Sequence, residues 1–152
     1  SMTIDFDISQ YKDVDKTNLF IGSVSRYGKK LHYAPTKKQG NTLTTRTKYL
    51  GIYTLGTDNE NPKIKTINFK NKSWISNHRF LKVKISDSIS GIKNYRASIN
   101  KRWILMEYDT KTKLLTYDFE DHSTIEIENN LKIIVTDNVG NSSTLETVFY
   151  RK

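Results

Sequence analysis

Oxygen-donor side chains gathered in two short segments are the residues of this chain best suited to chemistry. One segment is Asp87-Ser88-Ile89-Ser90-Gly91-Ile92 and the other is Asp137-Asn138-Val139-Gly140-Asn141. Each follows an apolar, strand-like run that ends in Asp. If those runs are strands B and F of a seven-stranded sandwich, the segments are the BC and FG loops and leave the fold at the same end. Asp87, Asp137, Asn138 and Asn141 would then converge as hard oxygen ligands, the donor set that calcium takes. The same residue types also cap their own turns, because short carboxylate and amide side chains bond backbone two residues on. The pattern thus allows a calcium or ligand site or two self-closed turns, and the second needs no ion. Nothing in the sequence calls for a cofactor.

Aromatic side chains form the second group. Trp74, Tyr27 and Tyr33 are candidate ligand-binding residues, with Tyr95 and Trp103 as further members of a saccharide-stacking platform. Trp103 is expected in the core instead, since a sandwich of this size buries a large aromatic.

Catalytic constellations are missing from the pattern. The three histidines, His32, His78 and His122, are widely separated, and no HxH or HExxH spacing offers a zinc site. His122 and Glu126 are four apart, a spacing that pairs ligands on a helix but not on a strand. Ser88, Ser90 and Ser142 lie near glycines but have no neighbouring base, and no GxSxG elbow occurs. Asp118, Glu120 and Asp121 resemble a carboxylate pair only in composition; at a strand end they read as a solvated cluster. The chain lacks cysteine, which excludes thiolate chemistry and disulfides. It is expected to contain no catalytic residue.

The elements that must position these side chains are strands. Leu81, Val83 and Ile85 alternate with Lys82 and Lys84, and Tyr95, Ala97 and Ile99 with Arg96 and Ser98, the period of a half-buried strand. Further runs are Ile64–Phe69, Trp103–Tyr108, Leu115–Phe119, Ile125–Glu128, Leu131–Val135 and Leu145–Tyr150. Asn100-Lys101, residues 109–113 and Asn129-Asn130 are expected turns. Seven or eight short strands about ten residues apart predict an immunoglobulin-like β-sandwich over residues 59–152. Residues 1–58 carry Ile4–Ile8, Leu19–Val24, Leu31–Ala34, Leu43–Lys48 and Ile52–Leu55, with turns at Tyr27-Gly28 and 39–41. They predict a small β-sheet domain or partial β-sandwich, the end of a larger β domain, and residues 57–62 read as the linker. The fold class is all-β.

The 152 residues carry a formal net charge of +9 with 36% hydrophobic residues, enough for a modest core. The positive surplus is spread along the chain. It suits anionic partners such as envelope glycans, or a Lys-rich surface that protects exposed sheet edges; nucleic acid is not expected as a partner. No apolar run is long enough to span a bilayer. Ser1-Met2 reads as a cleavage scar ahead of native sequence that starts mid-protein.

The order of the motifs also resembles a known group. Residues 87–92 resemble the D-x-x-S-G-I segment of bacterial Ig-like extracellular modules, and Val135–Ser142 their D-N-x-G-N segment. More narrowly, Tyr95–Asn100, Trp103–Tyr108 and Leu115–Phe119 resemble the region that follows the catalytic domain in some lysostaphin/LytM-type zinc metallopeptidases. Leu50–Leu55, Asp58 and Pro62 resemble the stretch ahead of that last module. The resemblance implies an exported protein, periplasmic or at the cell surface, whose parent polypeptide cleaves peptidoglycan cross-links. The family's HxxxD and HxH zinc ligands have no counterpart here, so no catalytic residue carries over. The implied role is a monomeric accessory region that positions or spaces, with other domains of the same polypeptide and peptidoglycan or envelope glycans as partners. An independent carbohydrate-binding or adhesin-like module is the alternative.

Overall fold

The computed structural model describes every residue except Val14, Lys29 and 122–125, and of Asp121 the backbone only. The expectations for His122 and Ile125 lie outside the described residues. The chain divides into two compact units, the first comprising residues 1–60, 88–91 and 138–141, the second residues 61–87, 92–137 and 142–152.

The first unit holds β1 (Met2–Asp7), β2 (Leu19–Val24), β3 (Leu31–Tyr33), β4 (Thr36–Gln39), β5 (Thr42–Thr47) and β6 (Tyr53–Thr57). They form two three-stranded antiparallel sheets, ordered β1-β5-β4 and β3-β2-β6. Alternation drives the pairing. Ile4 and Phe6 face inward from β1 while Asp5 and Asp7 face water, and Asp5 accepts a 2.6 Å bond from Thr44 directly across the ladder. Ile8, Ile21, Ala34 and Leu43 form the buried centre, with Tyr53 and Leu55 packed against it. β4 was not expected. Pro35 breaks the run after β3, and Gly40 (φ 57°) closes a two-residue hairpin that pairs Gln39 with Thr42.

The second unit holds β7 (Lys63–Thr66), β8 (Ser73–Trp74), β9 (Phe80–Ser86), β10 (Ile92–Ile99), β11 (Arg102–Ile104), β12 (Glu107–Asp109), β13 (Leu114–Asp118), β14 (Glu128–Asp137) and β15 (Ser142–Tyr150). One sheet runs β12-β13-β9-β7 and the other β11-β10-β14-β15-β8. This is an immunoglobulin-like sandwich, as the strand spacing predicted. Its core joins Leu81, Val83 and Ile85 of β9 to Leu131, Ile133 and Val135 of β14, with Phe149 fully buried. Removing each such side chain from water contributes about 1.5–3 kcal/mol.

Three expectations are corrected. Trp103–Tyr108 is not one strand, because β11 and β12 belong to different sheets and the chain crosses between them at Leu105-Met106. Asn129-Asn130 is not a turn but part of β14, where buried Asn129 accepts a bond from Asn100 and donates to the Glu126 carbonyl. Trp103 is not a core residue: it is 65% exposed, and Ile104 beside it is buried. The reason is the hairpin. Asn100 and Lys101 both adopt positive φ, giving a two-residue turn that pairs Ile99 with Arg102 and Ser98 with Trp103. With Ala97 and Ile99 inward, Ser98 and Trp103 must face out.

Candidate functional site

Residues 88–91 and 138–141 of the two motif loops belong to the first unit. There they are held by Asp58, which follows β6 directly and is fully buried. Its carboxylate accepts from Glu60 N–H (3.0 Å) and from Ser90 N–H (3.0 Å). Asn138 Nδ2 donates to the carbonyls of Ser90 (2.8 Å) and Gly91 (3.2 Å), and Asn138 N–H also donates to the Gly91 carbonyl. Asn141 Nδ2 donates to the Asp58 carbonyl at 2.9 Å, and its Oδ1 accepts from Asn18 at 3.1 Å. Ser88 Oγ donates to Glu60 at 3.2 Å. Asp58 was not singled out by sequence reasoning as a residue that fixes these loops. Its bond to an N–H two residues on is an Asx turn, and that local signal was legible in residues 58–60.

The other two motif residues sit in the second unit. Asp87 directly follows β9 and Asp137 ends β14; Asp137 is fully buried, and the two carboxylates have oxygens within 4.8 Å of each other. Both residues have interaction partners.

Trp74 ends β8, an edge strand that pairs parallel with β15. It is 61% exposed and stacks against Tyr150, with ring centroids 5.3 Å apart. It borders an open cleft of about 670 Å³ lined also by Lys65, Ile67, Phe69, Lys70 and His78. His78 Nδ1 is buried there without a hydrogen-bond partner. Phe69 and Ile75, which also line the cleft, are buried, whereas Trp74 is exposed.

Trp103 marks a depression that sequence reasoning missed. The small side chain of Ser98 opens a trough of about 330 Å³ between Trp103, Arg96 and Lys132, floored in part by Ile134. Lys132 is paired with Glu146 at 2.7 Å. Alternation across the hairpin was the available signal, but four successive apolar residues from Trp103 onward left its phase open.

Tyr27 and Tyr33 are both in the first unit. Tyr27 is 82% exposed at the tip of the β2–β3 hairpin, whereas Tyr33 packs on Phe20 at 5.6 Å and accepts a bond from Thr36 N–H. Asp118 and Glu120 share Arg79, each at 3.1 Å, and the Glu120 N–H together with Arg79 holds the Asp118 carboxyl below the ordinary carboxylate range.

No family model matches this chain, and no curated protein matches its sequence. Among solved structures it is similar to the endo-β-1,4-mannanase of Thermotoga petrophila, with a TM-score of 0.51 and 8% identity over 62% of this chain. That match spans 20% of the mannanase chain and concerns the fold alone. The fibronectin(III)-like modules of Clostridium thermocellum CbhA align at a TM-score of 0.44 and 13% identity, covering 90% of this chain and 78% of theirs.

Proposed function

We propose that this chain is a non-catalytic accessory region of an exported cell-envelope polypeptide, and that it spaces or positions a peptidoglycan-cleaving zinc peptidase domain elsewhere in that polypeptide. The observation that carries the reading is what the motif residues do. The segments that resemble bacterial Ig-like extracellular modules are tied down: Asn138 bonds the Ser90 and Gly91 carbonyls, and buried Asp58 takes the Ser90 N–H. Such bonds are costly to break when buried, so they favour loops that keep one shape over loops that move with a substrate. A fixed-shape module suits a positioning role. Two measurements test it. The complete coding sequence should encode HxxxD and HxH zinc ligands outside these residues. Purified peptidoglycan incubated with this chain alone should remain uncut; release of peptides would overturn the proposal.

A second reading is a saccharide-binding module. Exposed Trp74 beside an open cleft favours it, because an indole face stacks on a sugar ring at small entropic cost. A glycan array probed with the chain and with Trp74→Ala separates the two. Selective binding lost in the variant supports the second reading, and no binding by either protein supports the first.

A further inference from the structure

The first unit carries an apolar, basic tip, and we propose that it docks on the surface of a bilayer containing anionic lipids. The inference goes beyond the accessory reading and does not depend on it. The tip is made of two neighbouring loops. The β2–β3 hairpin presents Tyr27, and the segment between β5 and β6 presents Tyr49, Leu50 and Ile52. Both lie at the same end of their sheet, because Val24 pairs with Leu31 and its N–H donates to the Ile52 carbonyl at 2.8 Å.

These four side chains are 82%, 80%, 90% and 70% exposed. Their loops project into open solvent: a Cβ built on Gly28 or Gly51 meets nothing within 4 Å. Yet the second loop is braced at its base. Tyr53 Oη and Thr47 Oγ1 lie 2.8 Å apart, Tyr53 Oη donates to the Tyr49 carbonyl, and Thr47 Oγ1 accepts from Tyr49 N–H. Apolar exposure on a braced loop is a preformed surface.

Charge identifies the occupant. From residue 16 to 57 the sequence has eight Lys or Arg and not one Asp or Glu. Arg26, Lys30, Arg46 and Lys48 are exposed around the tip, and among the described residues they enter no ion pair. Arg46 and Lys48 also line a cleft of about 390 Å³ with Tyr33, Tyr49 and Tyr53. Tyr33 Oη accepts from Thr36 N–H, so its own proton is available to an anionic oxygen. A protruding aliphatic and aromatic apex ringed by cations, beside a cationic cleft, fits an interface where tails receive the apex and phosphate headgroups receive the cations. A second copy of the same tip would bring like charges together, which disfavours self-association. A sugar ring would want a concave wall rather than Leu50 at an apex.

Co-sedimentation tests the proposal. The intact chain is mixed with vesicles of phosphatidylcholine alone, or of equal parts phosphatidylcholine and phosphatidylglycerol. Binding is expected with the mixed vesicles only, weakening as salt rises. Leu50→Gln with Ile52→Gln, neutral changes at positions too exposed to affect folding, should lower partitioning about tenfold or more, and Arg46→Gln with Lys48→Gln should do the same. Lys84→Gln with Lys93→Gln, two exposed cations of the other unit, should change it little. No binding to mixed vesicles overturns the proposal. So does binding that the Leu50 and Ile52 substitutions leave intact, which would reflect net charge alone. If vesicles take up nothing and sedimentation velocity shows oligomers lost on Leu50→Gln with Ile52→Gln, the tip is a protein interface and the proposal fails.

Discussion

Trp103 stands directly across the β10–β11 ladder from Ser98, on the opposite side of the sheet from buried Ile104. The adjacent pair therefore has opposite roles. Ile104→Ala should cost about 2–4 kcal/mol, because it leaves a cavity in the core. Trp103→Ala should stay within about 1 kcal/mol, since most of its surface is already in water. Urea unfolding of the two variants decides this, and a Trp103→Ala loss equal to that of Ile104→Ala would mean that the hairpin register is wrong.

Asp58 should be among the most sensitive polar positions. Asp58→Ala strands the N–H groups of Ser90 and Glu60, and Ser90 is itself buried. A loss of about 2–4 kcal/mol is expected, with Asp58→Asn retaining part of it through its amide oxygen. Hydrogen exchange at the Ser90 amide provides a local readout: it should accelerate sharply in Asp58→Ala.

Acid should destabilise the fold. The carboxyls of Asp7, Asp15, Asp109 and Asp118 are each held below the ordinary value of 3.8, chiefly by N–H or O–H donors from Ser9, Thr17, Thr112 and Glu120 respectively. A depressed folded-state value means that the unfolded chain takes up protons first. The stabilisation is present above about pH 4 and is lost as pH falls through the folded values. Thermal midpoints measured downward from pH 5 should decline, and Asp109→Asn should flatten part of that decline.

Gly56 on β6 is fixed by what lies over it. A Cβ there would sit 2.5 Å from a Leu31 methyl and 2.7 Å from the Phe20 ring. Gly56→Ala should cost about 1–3 kcal/mol through overpacking. Gly51→Ala meets open space and should be silent in the same denaturation assay.

The Asp-led turns and the alternating strands of the second unit were legible because each depends on neighbours in sequence. A period of two shows which residues share a face. An Asp or Asn at a strand end signals a turn whatever the tertiary context. Sequence alone therefore determined an all-β chain with an immunoglobulin-like sandwich, with Asp87, Asn138 and Asn141 at loop positions and Asp137 at a strand end. Choices with no local signal were decided by the tertiary structure. The run Trp103-Ile104-Leu105-Met106 is apolar at every position, so its phase was set by the two-residue turn at Asn100-Lys101 and by the core's demand for Ile104. Asn129 looks like a turn former until its side chain finds Asn100 across the ladder and the Glu126 carbonyl. Nor do residues 26–52 announce an apolar tip in a basic setting. Leu50 and Ile52 would pass for core residues in any reading by composition, and only packing, which leaves them 90% and 70% exposed, makes them surface. Local periodicity encodes faces; long-range pairing decides which face meets water.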